Sequence, residues 1–505
     1  MSSSRPLNVL FITVDQWRGD TLGIGGHPLV QTPHLDRLAR DGVRFARHFA
    51  QTAPCGPSRA SLYTGTYQHT HRVALNGTPL DARFTNVAKE ARTAGYDPAL
   101  FGYTDQTVDP RTVAHDDPRL FTYEGVLPGF TPVVVLPEHV GPWLTWLATK
   151  GYEVPEDPFE IYRPADPDAP PYASPTVYAA EHTEAAFLVE ELTGWIDGRG
   201  DAPWFAHASF LRPHPPVIAP EPYHSMYDPA SVPMPVRGTT PDVEAALHPL
   251  VAGALHVPEI AAPRDDRDLR QLRATYYGMQ TEVDAQLGRL FEHLERMGHW
   301  ADTLVVLTSD HGEMLGDHWF VEKFGFFDGS YHIPLIIRDP RAAADTTRGS
   351  VVTDFTENVD VMPTILRAIG CPIPRQCEGH ALNDYLHGDP PARIRSAAHW
   401  EWEFRDPKTH LMEDAFGISS DECNLAVYRD DDFKYVHFAA FDPILFDLRV
   451  DPGELVNVAG EPAYAATVSE YARRMLSWRL AHSERTLTGF FVDEDGLTAR
   501  NDEPA

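Results

Sequence analysis

The chain has 505 residues, 43% of them hydrophobic and 11% aromatic, so it is long enough to bury a large core. A formal net charge of −31 argues against nucleic acids and anionic membranes as partners, because both bind basic surfaces. No stretch reaches transmembrane length without charge, and the N-terminal apolar run is too short for a signal peptide. The four cysteines form no dense disulfide framework. We therefore expect a cytoplasmic enzyme.

Strand and helix patterns alternate along the first half of the chain. A strand at 7–14 precedes a helix that Thr32 caps and Pro33 opens. Later patterns predict strands at 43–49, 98–101, 204–209, 303–308 and 333–337, and helices at 86–94, 183–196 and 269–297. This alternation favours an α/β fold with a large, mainly parallel sheet between layers of helices.

Two segments depart from the alternation. Residues 107–174 are rich in proline and irregular, and their aromatic content predicts a lid or a packing insertion rather than disorder. From about residue 389, strand-and-turn patterns predict a smaller antiparallel sheet, then a helix at 463–482 and a tail. We therefore predict a catalytic α/β domain at 1–388, with its insertion at about 107–174, and a C-terminal subdomain at 389–505.

Polar side chains follow two of the predicted strands. Asp15 and Gln16 end the first strand, and Asp310 and His311 end the strand at 303–308. Because ligands collect beyond the carboxyl ends of parallel strands, we expect the two loops to converge. Their two carboxylates, carboxamide oxygen and imidazole would fill most of a divalent cation's coordination shell. An Asp at the end of a strand is often only the cap of the next helix. The metal-site hypothesis therefore depends on the two residue pairs occurring together.

Cys55 lies in the run Thr-Ala-Pro-Cys-Gly-Pro-Ser-Arg-Ala-Ser-Leu-Tyr-Thr-Gly at 52–65. This run resembles the signature of the sulfatases, in which the Cys is oxidised to formylglycine and its hydrated aldehyde is the nucleophile. The resemblance implies a formylglycine-generating maturation enzyme, an oxygen from residue 55 in the metal shell, and Arg59 as the group that holds the hydrate. The alternative reading is a buried structural thiol, which would make the chain a non-catalytic anion-binding protein.

The metal pairs differ from those of most sulfatases, which carry a second Asp at the position of Gln16 and an Asn at that of His311. Imidazole suits manganese better than calcium, so we expect manganese, with calcium as the alternative. Typical sulfatases also carry a Lys and a His in a Gly-Lys-Trp-His stretch. Here Tyr103 and Asp105 replace them, which puts ordinary sulfatase specificity in doubt.

Over nearly its whole length the chain resembles the phosphonate monoester hydrolases, which also cleave phosphodiesters. The likeness rests on Val-Asp-Gln-Trp-Arg at 14–18, Arg-Pro-His-Pro-Pro at 212–216, Thr-Ser-Asp-His-Gly-Glu at 308–313 and Val-Asp-Val-Met-Pro-Thr-Ile-Leu at 359–366. It implies Tyr103 and Asn76 as substrate contacts, His214 as the leaving-group residue and Lys323 as an active-site lysine. A neutral hydroxyl is expected near Asp105, and Thr107 is the candidate for it.

The resemblance implies an alkaline phosphatase-like fold and a hydrolase of phosphonate monoesters and phosphodiesters that is promiscuous towards sulfate esters. An arylsulfatase is the alternative, and a phosphomutase is disfavoured because that group uses Ser or Thr. The substrate would be a small anionic ester, and the enzyme a homo-oligomer, tetramer or dimer, whose C-terminal tail reaches a neighbouring subunit. The predicted residues are catalytic Cys55, Arg59, His214 and Lys323; substrate-binding Asn76, Tyr103, Thr107 and Lys323; and metal-binding Asp15, Gln16, Cys55, Asp310 and His311.

Overall fold

A large mixed sheet organises the computed structural model, which describes residues 6–499. Its strands are β1 (Asn8–Val14), β2 (Val43–Phe49), β3 (Ala99–Gly102), β4 (Thr131–Val135), β5 (Phe205–Phe210), β6 (Thr303–Thr308), β7 (His332–Arg338), β8 (Ser350–Val352) and β9 (Thr356–Glu357). Their spatial order is β4-β3-β5-β1-β6-β7-β2-β8, and β9 also pairs with β2.

Strand β7 runs against its neighbours. It pairs antiparallel with β6 and with β2, whereas the other pairs of this sheet are parallel. Two reversals restore the direction, so β2 runs the same way as β1 and β6. The loops that follow β1, β2 and β6 therefore leave from one edge of the sheet, and the expected mainly parallel sheet is confirmed.

Helices cover both faces of this sheet. In chain order they are α1 (Pro33–Asp41), α2 (Cys55–Thr64), α3 (Gln68–His71), α4 (Val87–Thr93), α5 (Gly141–Thr149), α6 (Glu184–Asp197), α7 (Pro241–Ala245), α8 (Pro249–Ala254), α9 (Asp266–Arg296), α10 (Asp328–Tyr331), α11 (Val361–Ala368), α12 (Asn383–Leu386), α13 (Leu411–Phe416) and α14 (Ala465–Ala481). Side chains alternate between the two faces of a strand. On β1, Leu10 and Ile12 pack in the core that contains α6 and α9, and Val9 and Phe11 in the core that contains α2 and α11.

The segment 107–174 packs onto the edge of the sheet. Its strand β4 pairs with β3, and its helix α5 carries Trp143, which is fully buried in the core shared with α6 and α9. 3₁₀ turns of three to five residues and irregular backbone make up much of the remainder. This segment therefore extends the sheet and contributes side chains to its core.

A second, antiparallel sheet contains β10 (Ala398–Glu403), β11 (Asn424–Arg429), β12 (Phe433–Phe438) and β13 (Ile444–Asp447), in that spatial order. Helix α14 packs on β11 and β12. The tail forms a hairpin of β14 (Phe490–Asp493) and β15 (Gly496–Ala499), which the sequence patterns did not predict. The acidic Asp502 and Glu503 lie outside the described residues. Within 6–499, none of the helices combines the length and the apolar character needed to cross a bilayer.

Candidate active site

Four buried side chains meet at the carboxyl edge of the large sheet. Asp15 follows β1, Cys55 begins α2 after the loop from β2, and Asp310 and His311 follow β6. Their ligand atoms all lie within 4.8 Å of one another, and Cys55 Sγ lies 3.2 Å from His311 Nε2 and 3.9 Å from Asp15 Oδ1. Two carboxylates, an imidazole and one further ligand at residue 55 form a donor set that fits a divalent metal ion.

The imidazole of His311 is oriented by its own backbone neighbour. Its Nδ1 lies 3.0 Å from the carbonyl oxygen of Gly312, an acceptor, so Nδ1 is the nitrogen that carries the proton. This leaves Nε2 as a free acceptor that faces Cys55, the arrangement typical of metal-binding histidines. Burial lowers the pKa of His311, although Asp310 opposes the shift, and this favours the neutral ligand form.

Arg59 connects the two carboxylates of the cluster. It lies four residues after Cys55 on α2, one helical turn away and on the same face, and is fully buried. Its Nε is 2.8 Å from Asp310 Oδ2 and its Nη2 is 3.1 Å from Asp15 Oδ2. Burial raises the pKa of Asp15, but His214, Arg59 and His311 outweigh it and hold that pKa far below its ordinary value. Both carboxylates are thus held in place by one guanidinium.

Gln16 lies beside the cluster in a left-handed backbone conformation, with φ of 65°. Its amide oxygen accepts a hydrogen bond from Lys323 Nζ at 2.9 Å, and its amide nitrogen donates to Glu313 and Glu322. The oxygen is thus turned towards Lys323, and the role of Gln16 as a metal ligand stays a prediction.

Tyr103 and Asn76 contact the residues around Cys55. The Tyr103 hydroxyl donates to Asp15 Oδ2, and its ring centroid lies 4.2 Å from Arg59 Cζ. Asn76 Oδ1 accepts from the backbone nitrogen of Gly56 at 2.8 Å, which anchors the turn that carries Cys55. Both predicted substrate contacts therefore lie next to the cluster.

Thr107 and Asp105 have different surroundings. The Thr107 hydroxyl is buried and has no hydrogen-bond partner within residues 6–499. Thr107 lines a separate cavity of about 290 Å³ with Leu80 and Asn86. Asp105 lies beside the cluster, 3.8 Å from Arg59 Nε. Burial raises the pKa of Asp105 well above its usual range against the opposing charge of Arg59. Asp105, rather than the hydroxyl of Thr107, is therefore the side chain next to Arg59. A substrate contact for Thr107 stays a prediction.

His214 and Lys323 face each other at the side of the cluster. Lys323 Nζ lies 3.2 Å from His214 Nε2 and 3.0 Å from Glu322 Oε2. His214 Nδ1 lies 2.9 Å from the carbonyl oxygen of Pro215, so Nδ1 donates and Nε2 is the acceptor. Burial lowers the pKa of Lys323, but the charges of Cys55, Glu322 and Asp15 outweigh it and raise that pKa. The lysine therefore stays charged at this position.

A sulfatase family model matches residues 7–371, and a model described as N-sulphoglucosamine sulphohydrolase, C-terminal, matches residues 316–481. The chain belongs to the sulfatase family. Membership implies a divalent metal and a formylglycine, and the buried cluster of Asp15, Cys55, Asp310 and His311 is compatible with both.

Relatives of this sulfatase-family chain match it over almost its whole length. The multifunctional alkaline phosphatase superfamily protein PehA of Trinickia caryophylli is 42% identical over 511 residues, covering 98% of this chain and 99% of that protein. The crystal structure of a phosphonate monoester hydrolase of Agrobacterium radiobacter is 48% identical, with a TM-score of 0.94 over 98% of this chain and all of that one. The phosphonate monoester hydrolase SpPMH from Silicibacter pomeroyi is 40% identical, with a TM-score of 0.92 over 98% of this chain and all of that one.

Three residues that contact the site were not predicted from the sequence. Ser209 accepts from Arg59 Nη1 at 2.7 Å, and Glu313 and Glu322 both bind the Gln16 amide. Ser209 stands at the carboxyl end of the predicted strand 204–209, and Glu313 closes the Asp-His-Gly-Glu run. Their positions were therefore a usable signal, whereas their partners were visible only in the structure.

Proposed function

We propose that this sulfatase-family protein is a formylglycine- and metal-dependent hydrolase of phosphonate monoesters and phosphodiesters, with side activity towards sulfate esters. The observation that carries the proposal is Tyr103, which contacts Asp15 and Arg59 in the stretch where typical sulfatases carry a lysine. The relatives from Agrobacterium and Silicibacter, both named phosphonate monoester hydrolases, support the same substrate class.

The residues around Cys55 would divide the chemistry among them. A divalent metal, manganese by preference or calcium, would be held by Asp15, Gln16, Asp310, His311 and the modified residue 55, and would act as a Lewis acid. The modified side chain of residue 55 would supply the nucleophilic hydroxyl, held by Arg59.

The leaving group would depart towards His214 and Lys323. Because His214 Nδ1 donates to the Pro215 carbonyl, Nε2 is the nitrogen that would first take up a proton. The imidazolium so formed would give that proton to the departing oxygen and return to the neutral imidazole. The ammonium of Lys323, 3.2 Å away, would offset negative charge on that oxygen. Asn76, Tyr103, Thr107 and Lys323 would contact the substrate, and Asn76 also holds the turn that carries Cys55.

Replacement of the nucleophile tests the mechanism directly. The Cys55→Ala variant should lose turnover of an aryl phosphonate monoester by about 10⁴-fold or more, because no side chain remains to carry the hydroxyl. Cys371→Ala, another buried cysteine, is the matched control and should retain wild-type activity. Mass spectrometry of the peptide that contains residue 55 should find formylglycine in the wild type. Full activity in purified Cys55→Ala would contradict the proposed mechanism.

A comparison of substrates tests the specificity. We expect kcat/KM for an aryl phosphonate monoester to exceed that for the matching aryl sulfate, with manganese loaded and the maturation enzyme co-expressed. A preference for the sulfate would assign the chain to the arylsulfatases instead. No turnover of either ester, together with an unmodified thiol at residue 55, would favour a non-catalytic anion-binding protein.

We also propose a homo-oligomer, tetramer or dimer, in a reducing cytoplasm. All four cysteines are free and buried, which supports the reducing location. The hairpin of β14 and β15 exposes apolar side chains, which supports assembly with a second copy of the chain.

A further inference from the structure

The side chain of Gln16 lies between two carboxylates and one ammonium. Its Nε2 donates to Glu313 Oε2 and, at 3.2 Å, to Glu322 Oε2. Its Oε1 accepts from Lys323 Nζ at 2.9 Å. If the amide were reversed, its oxygen would face two carboxylates, which cannot donate to it. Its NH₂ group would face the ammonium of Lys323, which has no acceptor atom. The four side chains therefore allow one orientation of the amide.

Glu313 is itself fixed by backbone groups. Its Oε1 accepts from the backbone nitrogens of Leu315 and Glu322, both at 2.7 Å, which leaves Oε2 for Gln16. The backbone of Gln16 is held independently, because its nitrogen donates to Asp310 Oδ1 at 3.2 Å and its carbonyl accepts from Tyr276 Oη at 2.6 Å. The backbone contacts thus place residue 16, and Glu313 decides which way its amide points.

We propose that Glu313, supported by Glu322, is a positioning residue that orients the Gln16 amide and thereby holds Lys323 in the active site. The inference rests on the proposed function for the role of Lys323 in turnover and for Gln16 as a metal ligand. It also explains why an amide rather than a carboxylate stands at position 16. A carboxylate there would be a third acid against Glu313 and Glu322, and it could not donate to either.

An exchange of the amide and the carboxylate between positions 16 and 313 tests the proposal. Gln16→Glu should lower both bound manganese and kcat/KM, because the new carboxylate meets two others. Glu313→Gln should also lower both, because its amide now opposes that of Gln16 and reverses it. In the double variant Gln16→Glu, Glu313→Gln, the new amide donates to the new carboxylate. We expect each single variant to lose about tenfold or more in kcat/KM, and the double variant to recover most of that loss.

Metal content, measured by elemental mass spectrometry after manganese loading, is the readout independent of activity. Glu378→Gln is the matched control, since Glu378 is also buried and accepts from Tyr67 and Thr70 outside the site. It should leave manganese content unchanged. A single variant that fails to fold while the double variant folds also supports the proposal, because folding itself is then rescued by the exchange. If no single variant folds and the double variant does not fold either, Glu322→Gln serves, and an unchanged kcat/KM there overturns the proposal.

Additive losses in the double variant would overturn the proposal, as would unchanged metal content and kcat/KM in Glu313→Gln. Failure of the proposed function has a different signature. If the wild type binds manganese but does not hydrolyse the aryl phosphonate, the exchange still acts on metal content, so the two failures are distinguishable.

Discussion

At the scale of single residues, Tyr103 contacts two charged groups of the cluster at once. Its hydroxyl donates to Asp15 and its ring lies over Arg59. Tyr103→Phe keeps the ring and removes one donor from a buried carboxylate. Since a hydrogen bond to a charged group contributes about 1.5–3 kcal/mol, we expect kcat/KM for an aryl phosphonate to fall about tenfold or more. Steady-state kinetics with the manganese-loaded variant would measure this.

Tyr227→Phe is the control for that substitution. Tyr227 is also buried, and its hydroxyl bonds to Thr281 rather than to the cluster. It should cost some stability and leave kcat/KM unchanged. Equal kinetics in Tyr103→Phe and the wild type would show that the Asp15 bond contributes nothing to turnover.

Sequence motifs predicted the centre of the site better than its surroundings. Asp15 and His311 were predictable because each follows a strand, and Arg59 because it stands one helical turn from Cys55. The orientation of Gln16 was not, since it depends on Glu313, which lies 297 residues away in the sequence. Backbone contacts that form only in the folded chain fix that glutamate, and no local pattern records them.

At the scale of elements, the direction of β7 decides where the Cys55 loop emerges. The apolar run at 333–337 predicts a buried strand, but a continuous apolar run has the same appearance in either direction. The hairpin of β14 and β15 was missed for a different reason. Its strands are short and exposed, and the turn residues Glu494 and Asp495 are not a pair typical of two-residue hairpin turns. Strand existence was thus predictable, and strand direction was not.

A largely buried ion pair connects three elements. His69 on α3 lies 2.9 Å from Glu401 on β10, and its Nε2 lies 2.8 Å from the carbonyl oxygen of His482, just after α14. Burial raises the pKa of Glu401, but His69 outweighs it and lowers that pKa to about 2. Burial lowers the pKa of His69, but Glu401 outweighs it and raises that pKa above 6.5.

The two shifts predict a pH window for stability. The contribution of Glu401 is complete above pH 4.5 and is lost as the pH falls towards 2. The contribution of His69 is complete below pH 6.5 and is lost as the pH rises through its raised pKa. The melting temperature of Glu401→Gln should therefore fall furthest below that of the wild type between pH 4.5 and 6.5. Breaking a buried pair costs about 3 kcal/mol, so we expect a shift of a few degrees.

Calorimetry across pH 3–9 (roughly the range the two groups titrate over) would measure the window. The exposed His115→Asn variant is the control and should follow the wild-type curve at every pH. A constant difference between Glu401→Gln and the wild type would contradict the assignment of the pair.

At the scale of the whole molecule, the net charge has the same sign as that of the proposed anionic substrate. The chain carries a formal charge of −31, yet Arg59 contacts the cluster of Asp15, Cys55, Asp310 and His311, and Lys323 contacts Gln16 beside it. Arg59 is fully buried and the Lys323 side chain is 14% exposed, so solvent screens both charges weakly, although each is paired with carboxylates. An anionic ester would therefore be attracted only at short range, and its capture would depend on the site rather than on long-range steering.

The C-terminal hairpin provides the surface for the proposed assembly. Phe491 is 64% exposed, Val492 72% and Leu497 66%, although all three are large apolar side chains on adjacent strands. A two-stranded hairpin is at best marginally stable alone in water, so further contacts are expected to support it. In the proposed oligomer, a second copy of the chain would provide these contacts.

Removal of this apolar surface should change the assembly. We expect the wild type to sediment as a dimer or tetramer, and a variant with Phe491→Ser, Val492→Ser and Leu497→Ser to sediment as a smaller species at the same concentration, because the apolar contact is lost. Analytical ultracentrifugation measures this. Phe121→Ser, which alters another exposed aromatic residue, should keep the wild-type mass. A monomeric wild type, or a triple variant of unchanged mass, would rule out assembly through the hairpin.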